Sequence, residues 1–546
     1  MSLQNLRALL VIAAALNAAS PESHAAGPIQ FEDVSDSAGL NRVLEGDGSH
    51  RPWRYAHGAA WGDVDGDDRP DLFVGAFAAR AWFVGPQSPT PNFVLLNKPG
   101  GFQPTNDDAI AARSGQARCA GALLADLDSD GDLDLCVTNH VQKSPPHELS
   151  KLYENIGGGK FRDATPAAAP WTSPIGMRNV AAIDLDDDGL LDLVLCDGSY
   201  GRNADKTARL LVLRNRGKFQ FEEFGKDLGF PTDKTLGLGL ALGDINNDGR
   251  VDLFVCGCNR LFVSTVDGKY REVENPALQY QVADVSEGLR CGAAMADLDG
   301  DDRLDLIVTE HGVPTRLHLF HNRGIEHGLP QLVDVSESAG IGDLFPRGTK
   351  LQPLKTAHVA LRDVDNDGRV DVMLTVVTRD AAGRLQPVVL RNLTDRGGAL
   401  KFTPPPFDTM VGYFAPGPVA DYDRDGRVDI MLPSWFEELP SYLFRNTTDG
   451  GNQLTVRVRG DGQTQNPMGI GAIVRAYTAG HIGEPQHLLA RGDVVIGTGY
   501  ASGEEALAHL GLGSAEAVDV QVTWGGLKRD LPNTKTNQLL NVEFTK

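Results

Sequence analysis

Basic residues are scarce in this 546-residue chain: 51 Lys plus Arg stand against 73 Asp plus Glu, for a formal net charge of −22. Such a surface repels a phosphate backbone, which excludes broad nucleic-acid binding and favours cations as partners. Cysteines are few. The six, Cys119, Cys136, Cys196, Cys256, Cys258 and Cys291, show no zinc spacing, and Cys256-Gly-Cys258 is too tight for a redox CxxC pair. Buried thiols and one to three bridges are equally compatible with them. Beyond the N-terminus no run approaches ~20 apolar residues, so the mature chain is expected not to span a membrane. Catalytic constellations are missing as well. "GLGLALG" (237–243) reads as a strand in which glycines allow close packing, not as a dinucleotide loop. His318 and His321 in "LHLFHN" fall on opposite faces of a strand, which disfavours a shared metal. Glycine, by contrast, is abundant at 62 residues and indicates a turn-rich, all-β protein.

The first 28 residues, "MSLQNLRALLVIAAALNAASPESHAAGP", combine Arg7, an apolar run over 8–19 and a small-x-small exit at Ser23-His24-Ala25. They resemble a secretory signal peptide, here 1–25. Export would place the protein, secreted or periplasmic, where calcium is plentiful and disulfides survive.

One acidic phrase recurs seven times: "DVDGDDRPDL" from 63, "DLDSDGDLDL" from 126, "DLDDDGLLDL" from 184, "DINNDGRVDL" from 244, "DLDGDDRLDL" from 297, "DVDNDGRVDV" from 363 and "DYDRDGRVDI" from 421. Successive starts lie 53 to 66 residues apart, the signature of a repeat fold. Small and apolar residues precede each copy, a strand-like run follows, and a hairpin phrase such as "LYENIGGGKF" or "VLRNRGKF" comes about twenty residues later. Each unit therefore reads as a four-stranded antiparallel blade, and seven make a ring. "FEDVSDSAGL" (31–40) parallels "LVDVSESAGI" (332–341), an outer-strand phrase, so the N-terminal segment is expected to supply the last blade's missing outer strand and leave no open edge.

In these loops positions 1, 3, 5 and 9 offer carboxylates, position 7 a main-chain carbonyl, and a glycine allows the sharp turn, a set that wraps a hard cation. The ligands read from the sequence are Asp63, Asp65, Asp67, Arg69 and Asp71; Asp126, Asp128, Asp130, Asp132 and Asp134; Asp184, Asp186, Asp188, Leu190 and Asp192; Asp244, Asn246, Asp248, Arg250 and Asp252; Asp297, Asp299, Asp301, Arg303 and Asp305; Asp363, Asp365, Asp367, Arg369 and Asp371; and Asp421, Asp423, Asp425, Arg427 and Asp429. Oxygen-only donors select calcium, up to seven ions. Simple turn-capping by Asp and Gly competes for one copy, but seven clusters of bare carboxylates would repel strongly. Seven equal sites also lack the asymmetry that an acid–base pair needs. Asp68 and Asp302 stand where the turn glycine is expected and Asn246 removes a charge, so loops one, four and five are expected to be the weaker sites.

These loops resemble the FG-GAP or VCBS repeats of seven-bladed β-propellers. After residue 450, "NPMGIGAIVRAYTAG", "GTGYASGEE" and "LAHLGLGSAEAVDVQVTWGG" resemble the ASPIC/UnbV domain that follows such propellers in the cartilage acidic protein family. The resemblance implies an all-β protein: a seven-bladed propeller with calcium-binding loops over 28–450 and a small β-rich domain over 451–546, whose removal is expected to leave the propeller folded.

Cations recur six to ten residues before the acidic loops: Arg54, Arg118, Arg178, Lys234, Arg290 and Lys355. With His140 and His311 they define a candidate rim for an acidic glycan or a protein ligand, against scattered solvated charge as the plain alternative. A non-enzymatic ligand-binding, adhesion or scaffold protein is the leading expectation, and a polysaccharide lyase or hydrolase using that rim is its rival. "RGD" at 491–493 reads as a chance tripeptide. Asn392-Leu-Thr and Asn446-Thr-Thr are glycosylation sequons only where the source cell uses that pathway.

Overall fold

The computed structural model describes residues 27–41, 56–77, 92–105, 109–110, 118–140, 149–167, 170–172, 175–198, 208–231, 233–280, 289–311, 316–342, 356–403, 411–436 and 439–544. The expected leader at 1–25 lies outside them. The described chain is all-β, with helix confined to short turns such as Pro276–Gln279 and Pro485–His487.

Seven antiparallel sheets each carry one acidic loop between their first and second strands. The second sheet is representative: Cys119–Ala125, Asp134–Asn139, Lys151–Asn155 and Phe161–Asp163. Its first strand, CAGALLA, is buried along its whole length, whereas the last has only Phe161 buried. Small residues on the first strands permit this crowding. A Cβ on Gly121 would lie 2.6 Å from the Arg178 carbonyl of the next sheet. Apolar clusters fill the spaces between successive sheets, as where Phe73 and Val94 meet Leu124, Leu135 and Val137. One such cluster joins the last sheet to the first, through Met431 and Leu443 against Trp61, Leu72 and Leu95. The N-terminal strand Phe31–Asp33 pairs with Tyr442–Asn446 and completes the last sheet, as the parallel phrases predict.

A repeated asparagine ties six of the seven sheets to the loop before them. Asn155 receives a main-chain position in the second sheet, where its N–H donates to Asp134 Oδ1, and its side-chain amide donates to the Val64 carbonyl of the first loop at 2.8 Å. Asn215 reaches Leu127, Asn322 reaches Ile245, Asn392 reaches Leu298 and Asn446 reaches Val364 in the same way. Asn97 reaches Tyr422 of the last loop, so the series runs from the seventh sheet back to the first. The fourth sheet has Ser264 at this place, and its hydroxyl donates to Asp248 of its own loop. Two of these amides, Asn392 and Asn446, belong to the sequons. Both are fully buried and hydrogen-bonded, so the folded chain does not offer them for glycosylation.

The tail forms two further sheets, Ala508–Gly513 with Asn452–Arg459 and Leu539–Glu543, and Leu488–Asp493 with Ile473–Thr478, Ala517–Trp524 and Leu527–Lys535. They share one apolar core that includes Val456, Val474, Val520 and Trp524. The expectation of a detachable tail does not fit the structure. Residues 497–503 leave the tail and touch the first-strand region of all seven sheets. Asn179 Nδ2 donates to the Gly497 carbonyl, and Gly499 N–H is shared between the Leu240 and Ala293 carbonyls at 2.7 and 3.0 Å. Tyr500 N–H donates to His358 Nδ1, Gly417 N–H donates to Ser502 Oγ, and Ser502–Gly503 adds a parallel strand beside Ala59 and Ala60. A Cβ on Gly503 would stand 2.8 Å from the Ala122 carbonyl. Gly499 has φ of +79° and no room for a side chain against His358, so only glycine serves there.

All six cysteines are free thiols, five of them buried. Burial pushes Cys119 up to about 12, away from thiolate chemistry.

Candidate metal centres

Each acidic loop is organised by its own first and ninth carboxylates. In the second loop Asp126 accepts the N–H groups of Asp130 and Gly131, and Asp134 accepts those of Leu127 and Asn155. The same bonds recur in the loops that begin at Asp63, Asp184, Asp244, Asp297, Asp363 and Asp421. The backbone is held at positive φ at positions 4 and 6. These are Ser129 and Gly131 in the second loop, and Gly66 with Asp68 or Gly300 with Asp302 in the first and fifth. The displaced glycines noted in the sequence thus sit at position 4 of an unchanged loop, and the turn itself is not weakened.

Position 3 is different. Asp65, Asp128, Asp186, Asp299, Asp365 and Asp423 each keep a buried Oδ1 without a hydrogen-bond partner. A buried carboxylate oxygen with no donor is costly, and a bound cation is the plainest remedy. In the fourth loop Asn246 turns its amide onto Asp248 Oδ2 and the Gly328 carbonyl and satisfies itself. Carboxylates of three residues lie close enough to share one ion at Asp63, Asp65 and Asp71, at Asp126, Asp128 and Asp134, at Asp184, Asp186 and Asp192, and at Asp297, Asp299 and Asp301. The donor set fits calcium: hard oxygen ligands, three or four charges and a carbonyl at position 7.

Burial, and then like charge, raises these acids in the metal-free state. Asp134 and Asp192 are pushed up to about 8, Asp71, Asp184 and Asp297 to about 7, and Asp126 and Asp421 to about 6. Basic side chains approach some loops: Lys98 meets Asp65, Arg214 meets Asp186, Arg303 meets Asp301, Arg391 meets Asp365 at 2.6 Å and Arg445 meets Asp423 at 2.7 Å. His321, which the sequence separates from His318, belongs here too, with Nδ1 2.9 Å from Asp305 Oδ1. His318 instead pairs with Glu310.

The tail docks on this acidic end. Arg457 meets Asp68 at 2.7 Å and Arg475 meets Asp302 at 2.7 Å, so the two aspartates that replace glycine are the tail's anchors. Arg491 of the "RGD" phrase has a fully buried side chain that donates to Asn247 Oδ1 and to the Asp302 and Asp244 carbonyls, while the Asp244 N–H donates to Asp493. That phrase is a packed internal joint.

The cations named for the opposite rim divide. Arg54 and Lys355 lie outside the described residues. Arg118 and Arg178 are buried near His140, and Arg178 Nη1 donates to Tyr500 Oη at 3.4 Å. Arg118 Nη1 is buried with no hydrogen-bond partner among the described residues, and its guanidinium faces the Phe77 ring. His57, Trp435 and Phe77 pack in the same cluster. Burial and the neighbouring arginines lower His140 to about 2. Arg290 stacks on Tyr280 and donates to the Gly257 and Tyr280 carbonyls. Lys234 is exposed, and His311 is half-buried against Tyr413.

Comparison with known proteins matches an FG-GAP-like repeat to residues 126–195, from the second acidic loop through the third and into the strand after it, and the ASPIC and UnbV family to 462–546. Cartilage acidic protein 1 of Homo sapiens is 26% identical over 540 residues, covering 93% of this chain and 75% of that protein. The chain carries an FG-GAP-like repeat and an ASPIC and UnbV region, and over nearly its whole length it is similar to the cartilage acidic protein family. The Xenopus tropicalis cartilage acidic protein 1 is likewise 26% identical to this FG-GAP-repeat chain, over 95% of it and 78% of the relative. Among solved structures it is similar to a Burkholderia pseudomallei lectin, BP39L, at TM-score 0.42 and 11% identity, over 70% of this chain and 93% of that one. A Bacillus licheniformis rhamnogalacturonan lyase gives TM-score 0.37 and 13% identity over 72% of each chain. Neither likeness bears on what the FG-GAP-repeat chain does.

Proposed function

We propose that the seven sheets are the blades of a closed propeller, that the acidic loops hold calcium, and that the protein is an exported, non-enzymatic binding or scaffold module. The unpartnered position-3 oxygens carry the calcium reading, because six loops share the defect and the one loop without the carboxylate lacks it. Six strong sites follow, with the fourth weak; this narrows the weak set read from the sequence, since loops one and five keep the common backbone. Calcium binding then rigidifies the ring and the tail docked on it.

The ligand-facing end, to which the tail contributes Tyr500, is the one away from the acidic loops. There Arg118, with its unmatched buried guanidinium nitrogen, together with Arg178 and the surrounding aromatic rings, supports an anionic ligand such as an acidic glycan or an acidic protein loop. Nothing in the geometry favours the lyase or hydrolase reading, since an imidazole lowered to about 2, as His140 is, makes a poor acid or base near neutrality. Retention on acidic polysaccharide in calcium, with a scan for released products, tests the proposal. Salt-sensitive retention that Arg118→Gln weakens, without turnover, is the expected result. Product formation by the parent chain would replace the binding role with an enzymatic one.

A further inference from the structure

Outside the acidic loops, one cluster of ligating side chains has no role in the reading above. In the tail segment Thr478-Ala-Gly-His-Ile-Gly-Glu-Pro-Gln-His487, the N–H groups of His481, Glu484 and His487 donate to the carbonyls of Thr478, His481 and Glu484 at 3.0, 3.1 and 2.9 Å. The first two closures are tight turns through Gly480 and Gly483, at φ of +87° and +78°, and the third is the short 3₁₀ turn Pro485–His487. Together they bring the three ligating residues side by side. The scaffold is pinned from both sides, because Gly480 N–H donates to Asp519 Oδ2 at 2.9 Å and Arg396 donates to the Pro485 carbonyl at 3.3 Å.

Glu484 Oε2 lies 3.3 Å from His481 Nδ1 and 3.7 Å from His487 Nε2, and the two rings stack 3.8 Å apart at 12°. One ligating atom from each residue falls within 4.8 Å of the other two. A tetrahedral ion with bonds of about 2.0–2.1 Å sets its ligands roughly 3.4 Å apart, close to these separations. All three side chains are partly exposed, so the two rings are free to turn out of their stack and direct their in-plane lone pairs at a common point beside Glu484. Two imidazoles and one carboxylate are borderline donors, unlike the all-oxygen acidic loops, and match zinc and its neighbours rather than calcium.

We propose that His481, Glu484 and His487 form a second class of metal site, a surface site for a zinc-like divalent ion that leaves at least one coordination position open to solvent. It is independent of the calcium reading and of the ligand end.

The full chain in excess calcium, so that hard-oxygen sites are saturated, is titrated with Co²⁺ as a spectroscopic stand-in and then with Zn²⁺. One equivalent of Co²⁺ is expected to bind with visible ligand-field absorption and to be displaced by Zn²⁺. His481→Ala, His487→Ala and Glu484→Gln are each expected to weaken binding by roughly tenfold or more, with the melting transition in calcium unchanged. Thiolate charge-transfer bands, which would put the metal on the cysteines, overturn the proposal. So does a parent chain that takes up no Co²⁺, or a His481→Ala/His487→Ala double variant that binds as the parent does.

Discussion

The second and fourth acidic loops have the same backbone, with the first aspartate accepting two N–H groups and the ninth accepting one from position 2 and one from the third strand. At position 3 they part. Asp128 keeps a buried oxygen with no donor, and among the described residues no basic side chain forms an ion pair in its loop, whereas Asn246 supplies its own donor to Asp248. The loop fold is therefore a property of main-chain capping, and on the calcium reading proposed above the capacity for an ion is a property of one side chain. Turn formation and metal binding, which the sequence presents as one motif, are then expected to be separable.

The largest test of that separation is to remove the ions altogether. A site at 100 times its Kd contributes about 2.7 kcal/mol, and with six such loops the calorimetric melting transition is expected to fall by roughly ten degrees or more in chelator. An identical trace in calcium and chelator would break the comparison at its root.

The exchange of position 3 comes next. Asp128→Asn is expected to lower the calcium count from equilibrium dialysis by one and to cost about 2–3 kcal/mol in calcium, with little change in chelator. Asn246→Asp is expected to raise the count by one. Should both variants bind as many ions as the parent, position 3 is not what distinguishes the loops.

A smaller effect follows from protonation in chelator. Asp134 at about 8 and Asp71 at about 7 lie above the ordinary aspartate value, because burial and neighbouring carboxylates disfavour the charge. Between the unfolded value near 4 and these folded values the native state binds more protons than the unfolded chain, so stability falls as pH rises from about 5 to 8. Calcium, competing with those protons, is expected to reverse the trend. Melting temperatures across that range, with and without calcium, check both signs. Asp252 of the fourth loop is raised as well, so its loop shares the metal-free trend but not the reversal.

The smallest effect concerns the asparagine ties. Asn215→Ala frees the Leu127 and Leu191 carbonyls and is expected to cost about 1–3 kcal/mol, measured by urea unfolding. Ser264→Ala, at the one sheet without the tie, is expected to cost about 1 kcal/mol or less.

The strands and the seven loops were legible because repetition turns a weak local signal into a strong one. The asparagines were equally visible in "LYENIGG", "VLRNRG" and "SYLFRN", yet they read as turn residues, since their partners lie in the preceding repeat. Asp68 and Asp302 read as damaged turns because a single loop cannot show that its position-6 side chain meets an arginine some 170 to 390 residues away. Of the rim cations, Arg118 and Arg178 both lie beside His140, whereas Arg290 is engaged by the Tyr280 ring and carbonyl, a partner that its offset from the acidic loop does not announce. Residues 497–503 carry only a glycine-rich, small-residue composition. Their partners, main-chain groups of Leu240, Ala293 and Gly417 and side chains of His57, Arg178, Asn179 and His358, are scattered over distant repeats, so no local pattern announces them.

That last segment constrains the order in which the chain can be made and folded. Phe31–Asp33 has no partner until residues 442–446 have been synthesised, and the strands around Gly499 have none at their centre until some fifty residues later still. A chain emerging from its N-terminus therefore assembles six sheets with an unsealed edge and an empty middle. Folding in order from the N-terminus cannot complete the last sheet or seat residues 497–503 until the end, and the late insertion of that glycine-rich segment is expected to be the slow step. Such non-local closure folds slowly, and every nascent chain passes through an interval in which its inner strands are exposed to other chains.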